Sequence, residues 1–371
     1  MKNNKNKVCH ITTVHPRYDI RIFEKECKSL LKNYDVQLVV ADGLGDETKD
    51  GIRITDVGVE INRIRRIVIS PWRTYKKIKN ANIKIIHLHD PELIPAGLLL
   101  KFCGKKIIFD VHEDLYEQIK TKDWIVRILL PLLLPLVKII NIIITNNFNL
   151  IFAEVSYIKN YSRGKNKNQI DVLNYPRTEM LTPFINKNRT ENGIIYIGNI
   201  TNLRGLDVIL DALLILKKNK IDFTMHFVGI LLEEIDWEHY KSIKNNVKFY
   251  GYLNIRKAYE LSQQCKVGLA ILKPVGNYIE SIPTKIFEYI AVQLPYIASD
   301  FKVWKEYFSE KERGIFVNPE NPLEVSDALA HSLTNRTVNQ IDYRESKPIK
   351  QKFNWESEEK KLLMLYDDIL S

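Results

Sequence analysis

The sequence predicts two doubly wound α/β domains in tandem. Short apolar runs alternate with helical patterns in each half, a polar stretch interrupts the alternation midway, and 371 residues exceed one ordinary core. In the first half, Val8–Thr13 reads as strand, Ile22–Lys32 as helix and Val36–Ala41 as strand. Ile83–His87 is the next strand, Leu93–Phe102 a helix and Lys106–Phe109 a strand. Leu150–Ala153 is a further strand, with a helix near Ser156–Ser162. Apolar strands separated by helices mark a parallel sheet covered on both faces. Residues 177–192 are polar, rich in Asn and Lys and contain Pro183, and read as a linker. The alternation restarts with strand Ile194–Ile197, helix Leu206–Lys217 and strand Phe223–Val228. It continues through strand Val247–Tyr250, helix Ile255–Gln263, strand Val267–Ile271, helix Lys285–Val292, strand Tyr296–Ala298 and helix Pro322–Leu333. The expected domains are therefore 1–176 and 193–350, joined by 177–192. A terminal segment, 351–371, carries an amphipathic helix whose apolar residues need a partner surface. Ligands of open parallel sheets bind beyond the carboxyl ends of the strands. Two such sheets facing across a cleft can enclose a donor on one side and an acceptor on the other.

Composition narrows the class. Apolar residues make up 45% and charged residues 27%, as in a globular chain. The net charge of +10 suits nucleic acid, an anionic membrane surface or phosphorylated substrates. No basic block is interleaved with exposed aromatics and no zinc-finger or RNA-binding signature occurs, so no nucleic-acid partner is expected. Cys9, Cys27, Cys103 and Cys265 form no CxxC pair and read as buried free thiols. With no secretory apolar region after Met1, a cytoplasmic location is expected. Trp124–Thr145 is the most apolar stretch. It leaves open a buried or surface-docked helix pair and interfacial membrane contact, while two prolines, Arg127, Lys138 and Asn141 argue against a simple span.

The chemistry concentrates in Glu280-Ser-Ile-Pro-Thr-Lys-Ile-Phe-Glu288. If Thr284 opens a helix, its first amides and the positive end of its dipole can hold a phosphate. Glu288 lies just over one turn in and Glu280 in the feeding loop, placed to accept hydrogen bonds from neutral hydroxyls. Phosphate flanked by hydroxyls describes a nucleotide-sugar.

Glu-x7-Glu before an apolar helix resembles the donor signature of retaining glycosyltransferases of family 4, which have the GT-B fold. The resemblance extends through His15-Pro-Arg-Tyr-Asp-Ile-Arg, where Asp19 and Arg21 would lie near the reacting centre, in place of the glycines of many relatives. It includes His87-Leu-His-Asp-Pro-Glu, with Asp90 and Glu92 lining the cleft, and Ile107-Ile-Phe-Asp-Val-His, whose His112 would sit beside the donor sugar. It also includes Tyr196-Ile-Gly-Asn-Ile-Thr-Asn-Leu-Arg-Gly, similar to an element whose two cations grip the diphosphate. There Gly198 opens the turn, Asn199 stands where Arg is usual and Arg204 where Lys is usual; Lys285 can supply the missing charge. The resemblance thus implies His112, Glu280 and Arg204 as catalytic. Gly198, Asn199, Arg204, Thr284, Lys285 and Glu288 would bind the donor, and Asp19, Arg21, Asp90 and Glu92 the acceptor side.

His87 and His89 alternate along a strand without a further ligand cluster in the sequence, and no Asp-x-Asp occurs, so no metal and no cofactor are expected. The implied activity is metal-independent, retaining sugar transfer from a UDP- or GDP-sugar to a saccharide, most naturally lipid-linked, in polysaccharide assembly at the cytoplasmic membrane. A GT-B epimerase or hydrolase, or a non-catalytic subunit, remains the alternative. The resemblance also implies that the terminal helix crosses back onto the N-terminal domain.

Overall fold

In a computed structural model, which describes residues 5–112, 115, 119, 130–161, 168–186, 188–189, 191–308, 314–334 and 353–371, the chain divides into two units. The first comprises Met1–Asn174 and Trp355–Ser371, the second Tyr175–Asn354.

Unit 1 is built on β1 (Lys7–Ile11), helical segment α1 (Ile20–Cys27, running on through Lys28–Leu30), β2 (Asp35–Val40), β3 (Glu47–Lys49), β4 (Ile52–Asp56), α2 (Arg63–Ile78) and β5 (Ile85–Leu88). There follow α3 (Ile94–Phe102), β6 (Lys106–Val111), α4 (Leu130–Asn147), β7 (Asn149–Phe152) and β8 (Gln169–Asp171). The sheet order is β3-β4-β2-β1-β5-β6-β7-β8, parallel except for β3 against β4. The inner strands are buried on both faces, which explains their unbroken apolar runs. One face packs against α2, α3 and α4 through Ile78, Leu93, Leu100, Ile144 and Phe148. The other packs against α1 and the terminal helix.

Unit 2 holds α5 (Thr178–Leu181), β9 (Gly193–Ile197), α6 (Leu206–Lys218), β10 (Thr224–Val228), β11 (Val247–Phe249), α7 (Ile255–Ser262) and β12 (Cys265–Ala270). It continues with α8 (Thr284–Ala291), β13 (Tyr296–Ser299), α9 (Lys302–Tyr307), β14 (Gly314–Val317) and α10 (Pro322–Thr334). Its all-parallel sheet runs β11-β10-β9-β12-β13-β14.

Helix α11 (Trp355–Leu370) belongs to unit 1. Its Trp355, Leu362, Leu365 and Tyr366 share a core with Ile22, Phe23 and Leu30 of α1. Trp355 Nε1 donates to Ser29 Oγ at 2.9 Å, so the indole is buried with its polar atom satisfied.

Three expectations need correction. The polar stretch 177–192 is not a bare linker: it opens with α5 and its Arg189 is buried in unit 2, donating to the carbonyls of Ser262, Cys265 (2.9 Å) and Val292 (3.1 Å). A guanidinium whose donors meet helix- and strand-end carbonyls seats a polar segment as firmly as an apolar side chain would. Cys103 is exposed at the end of α3, unlike the other three thiols. Of the apolar stretch Trp124–Thr145, residues 124–129 lie outside the described residues; the remainder forms a single helix, α4.

Candidate functional site

Residues expected on the donor side gather where β9 ends. Gly198 has φ +131°, a left-handed value that favours glycine. The neighbouring turn needs glycine for another reason: a Cβ at Gly229 would stand 1.9 Å from the Gly198 carbonyl oxygen. Asn199 is exposed and its carbonyl accepts from the Tyr196 hydroxyl at 2.9 Å. Thr201 Oγ1 caps the short turn Asn202–Arg204 by accepting from the Arg204 amide, and α6 then begins. This loop holds Arg204 half-buried, its guanidinium 5.8 Å from the Tyr278 ring.

Lys285 enters the same place from α8. Its Nζ lies 3.6 Å over the Tyr196 ring. From the point where a side chain at Gly198 would begin, Lys285 Nζ is 3.5 Å away and Arg204 Nη1 3.9 Å. Lys285 is buried, and among the described residues its Nζ has no hydrogen-bond partner. Burial drives its pKa well below the ordinary lysine value and the charge of Arg204 adds to this, while Glu288 opposes it. Thr284 opens α8 after Pro283, whose side chain offers no cap to the first-turn amides. Two basic side chains and the first-turn amides of α8 therefore lie close together here.

The glutamates flank this point differently. Glu288 is half-buried one turn into α8 and accepts from the Tyr259 hydroxyl at 2.5 Å. Glu280 is exposed at the end of the short turn Gly276–Ile279, three residues before Pro283.

In unit 1 the named residues stand at the carboxyl ends of β1, β5 and β6. The register sets His10 beside His87, and His89 follows β5 directly. His112, just past β6, keeps its side chain 14% exposed. Its Nε2 lies 3.0 Å from Asp110 Oδ2 and 3.0 Å from His89 Nδ1. Behind it, His89 Nε2 meets His10 Nδ1 at 2.9 Å, and the Tyr366 hydroxyl bridges His10 Nε2 (3.1 Å) and His87 Nδ1 (2.9 Å). A chain of hydrogen bonds thus runs from α11 through the buried imidazoles to the strand-end histidine.

Asp110 is the residue that the sequence reading passed over. Burial alone would raise its pKa, yet Arg21 and His112 hold it well below the carboxylate range. Glu26 is the converse: burial, with Asp110 alongside, pushes its carboxyl well above the ordinary value. His89 is lowered to about 4 by burial. The signal was present in the Asp-x-His spacing, which turns both side chains to one face of β6.

The acceptor-side residues separate. Asp19 caps α1, accepting from the amides of Arg21 (2.8 Å) and Ile22 (2.9 Å), with His15 Nδ1 3.7 Å away. Arg21, expected near the reacting centre, is not open to a ligand. Its guanidinium is buried, donating to Asp110 at 2.8 and 3.0 Å and to the Val172 carbonyl at 2.9 Å. Arg21→Met should therefore cost about 3–5 kcal/mol in urea denaturation, because Asp110 is left buried without its guanidinium partner, rather than raise KM selectively. Asp90 is also buried, accepting from Thr12 Oγ1 (2.9 Å) and the Thr13 amide (2.5 Å). Glu92 accepts from Thr13 Oγ1 (2.9 Å) and Arg66 Nε (3.1 Å). Both carboxylates brace the loop after β1 instead of lining open surface. That loop brings His15 within 5.0 Å of His112, ring to ring.

The expectation that His87 and His89 lack further potential ligands is corrected too, since the fold adds His10 and Glu26. Donor atoms of these residues lie within 4.8 Å of one another, as do those of His89, Asp110 and His112. The imidazole contacts at 2.9 and 3.0 Å are hydrogen-bond lengths, and Arg21, 3.1 Å from Glu26, already brings positive charge to the cluster.

Comparison with known proteins supplies the family context. Residues 179–351 match the family model "Glycosyl transferases group 1". No curated protein matches the chain. Among solved structures, sucrose-phosphate synthase from Thermosynechococcus elongatus is similar, with TM-score 0.75 and 14% identity over 99% of each chain. Anabaena HepE in complex with UDP-glucose gives TM-score 0.70 and 12% identity, over 98% of this chain and 99% of that one. The UDP-forming α,α-trehalose-phosphate synthase from Burkholderia xenovorans, in complex with glucose-6-phosphate, gives 0.69 and 12%, over 99% and 100%. The chain thus has the GT-B fold of two Rossmann-like domains, and residues 179–351 of its second unit are similar to the glycosyl transferases group 1 model.

Proposed function

We propose that this chain transfers a sugar, with retention of anomeric configuration, from a UDP- or GDP-sugar to a saccharide acceptor carried on a lipid. One observation carries the reading: Lys285, buried and without a hydrogen-bond partner among the described residues, stands beside Arg204 at the start of α8. Two cations in such a place call for an anion carrying more than one charge. A diphosphate meets that demand. HepE was solved with UDP-glucose and the Burkholderia synthase is UDP-forming, which supports a nucleotide-sugar as donor.

Breaking the anomeric C–O bond leaves negative charge on the diphosphate and an oxocarbenium-like sugar. Arg204, Lys285 and the amides at Thr284 would stabilise that growing charge; loss of one such donor costs about 2.7–4 kcal/mol in comparable oxyanion sites. These groups do not require a metal, and none is assigned, nor any cofactor. Glu288 would orient the ribose hydroxyls, Glu280 those of the sugar, and His112 a further sugar hydroxyl. The acceptor hydroxyl attacks the anomeric carbon from the face the nucleotide leaves, and its proton passes to the departing phosphate oxygen. The non-catalytic alternative drew on Asn199 in place of a cation; Lys285 beside Gly198 supplies that charge from another element.

The setting proposed is surface polysaccharide assembly in the cytoplasm, at the inner face of the membrane, consistent with the net charge of +10. A panel of UDP- and GDP-sugars scored by thermal shift tests the donor. The matching donor at a hundred times its Kd should add about 2.7 kcal/mol of stability, and Arg204→Ala should remove most of that gain. No shift with any of these nucleotides would refute the donor assignment.

A further inference from the structure

Helices α2 and α4 are built inside out. α2 buries Ser70, Pro71, Thr74 and Ile78, and among the described residues the hydroxyls of Ser70 and Thr74 find no partner. Its outer face instead shows Ile64, Val68 and Trp72, spaced i, i+4, i+8, with Ile61 just before the helix. Ile61 is 96% exposed and Ile64 76%. α4 repeats the inversion: it buries Asn141 and Thr145 along with Val137 and Ile144, and exposes Leu132 (73%), Leu136, Ile139 and Ile143.

Both helices cover the same face of the unit 1 sheet, with α3 in contact with each. The Tyr75 hydroxyl of α2 lies 3.9 Å from Cys103 Sγ at the end of α3, and Lys101 of α3 donates to Asn147 of α4 at 3.0 Å. α3 itself exposes Phe102 at 89%. The outward apolar stripes thus belong to one side of unit 1, opposite the side that packs α1 and α11.

Charge selects the occupant. α2 carries Arg or Lys at six positions and no acidic residue, and α4 carries Lys138 and no acidic residue. Arg65 and Lys76 border the stripe, and Lys76 Nζ lies 5.1 Å from the Trp72 ring. An apolar stripe edged by cations, with an aromatic at the margin, fits the headgroup–acyl boundary of an anionic bilayer. α4 is long and apolar enough to cross a membrane, but Ile144 and the following Phe148 are packed in the unit 1 core. It can lie on a bilayer without leaving the sheet, whereas crossing would unpack that core.

We propose that the outer faces of α2 and α4 dock unit 1 on an anionic lipid surface. This names the surface behind the membrane-side reading above, and it stands independently of sugar transfer. The test is co-sedimentation of the full chain with phosphatidylcholine vesicles, with and without phosphatidylglycerol. Wild type should pellet with the anionic vesicles at low salt and release at high salt. The exposed-site variant Ile64→Ser/Val68→Ser/Trp72→Ser should keep its melting curve and its thermal shift with UDP, and bind vesicles about tenfold or more weakly. Arg65→Gln/Lys76→Gln should lose about fivefold per cation. Wild type remaining in the supernatant with anionic vesicles would overturn the proposal, as would a triple variant that pellets like wild type. A dimer that the triple variant dissolves, without vesicle binding, would reassign the stripe to a protein interface.

Discussion

Lys285→Met should stabilise the ligand-free protein and abolish its response to nucleotide. The ammonium is buried over Tyr196 beside a second cation, and no hydrogen bond among the described residues repays its desolvation. Replacing buried charge with an apolar side chain of similar length is typically neutral or stabilising by about 1–4 kcal/mol. The diphosphate contact is lost at the same time, so the thermal shift with UDP should vanish. The pH dependence has a defined sign. Lys285 has a lowered pKa in the folded state, so the unfolded chain binds its proton more tightly. Its contribution to stability rises with pH from the depressed value up to the ordinary lysine range, and is flat in the methionine variant. A diphosphate beside Lys285 would raise that pKa back toward the ordinary lysine range, so this pH dependence should flatten with UDP bound, measurable by thermal denaturation across pH with and without UDP. A Lys285→Met protein that is less stable and still shifts with UDP would contradict this account.

His112→Ala should reduce turnover by about 10²–10⁴-fold and leave UDP affinity near wild type. With Nε2 held by Asp110 at 3.0 Å, Nδ1 is the nitrogen left to meet a sugar hydroxyl. On the proposed reading the nucleotide half of the donor meets unit 2, so UDP should not register the change while transfer should. Asp110→Asn separates orientation from contact. It keeps the shape but removes the charge that pairs with Arg21 and His112, and should cost about 3–5 kcal/mol of stability together with a fall in turnover. If His112→Ala instead weakens UDP binding and spares turnover, the division of roles between the units is wrong.

Both sheets were legible because their strands are buried on two faces and write themselves as apolar runs. The loops that carry Arg204 and Lys285 were legible because turn chemistry is local: Gly198, Gly205 and Pro283 mark them. Helix α2 was not read at all. Its apolar residues lie on the outer face and its inner face holds Ser70, Pro71 and Thr74, so the pattern that marks a core-facing helix is absent. The partners of Arg21, Asp90 and Glu92 were hidden for a different reason. Each acts through partners far along the chain: Arg21 through Asp110 and Val172, Asp90 and Glu92 through the loop after β1. Spacing alone does not say whether a charge at a strand end turns outward to a ligand or inward to another charge. The imidazole chain was hidden likewise, since it needs Tyr366 from the far terminus.

A crystal structure with UDP bound would weigh the whole account at once. The β-phosphate oxygens should accept from Lys285 Nζ, from the Arg204 guanidinium and from the backbone amides that open α8. A diphosphate lodged elsewhere, with that ammonium still lacking a ligand, would contradict it.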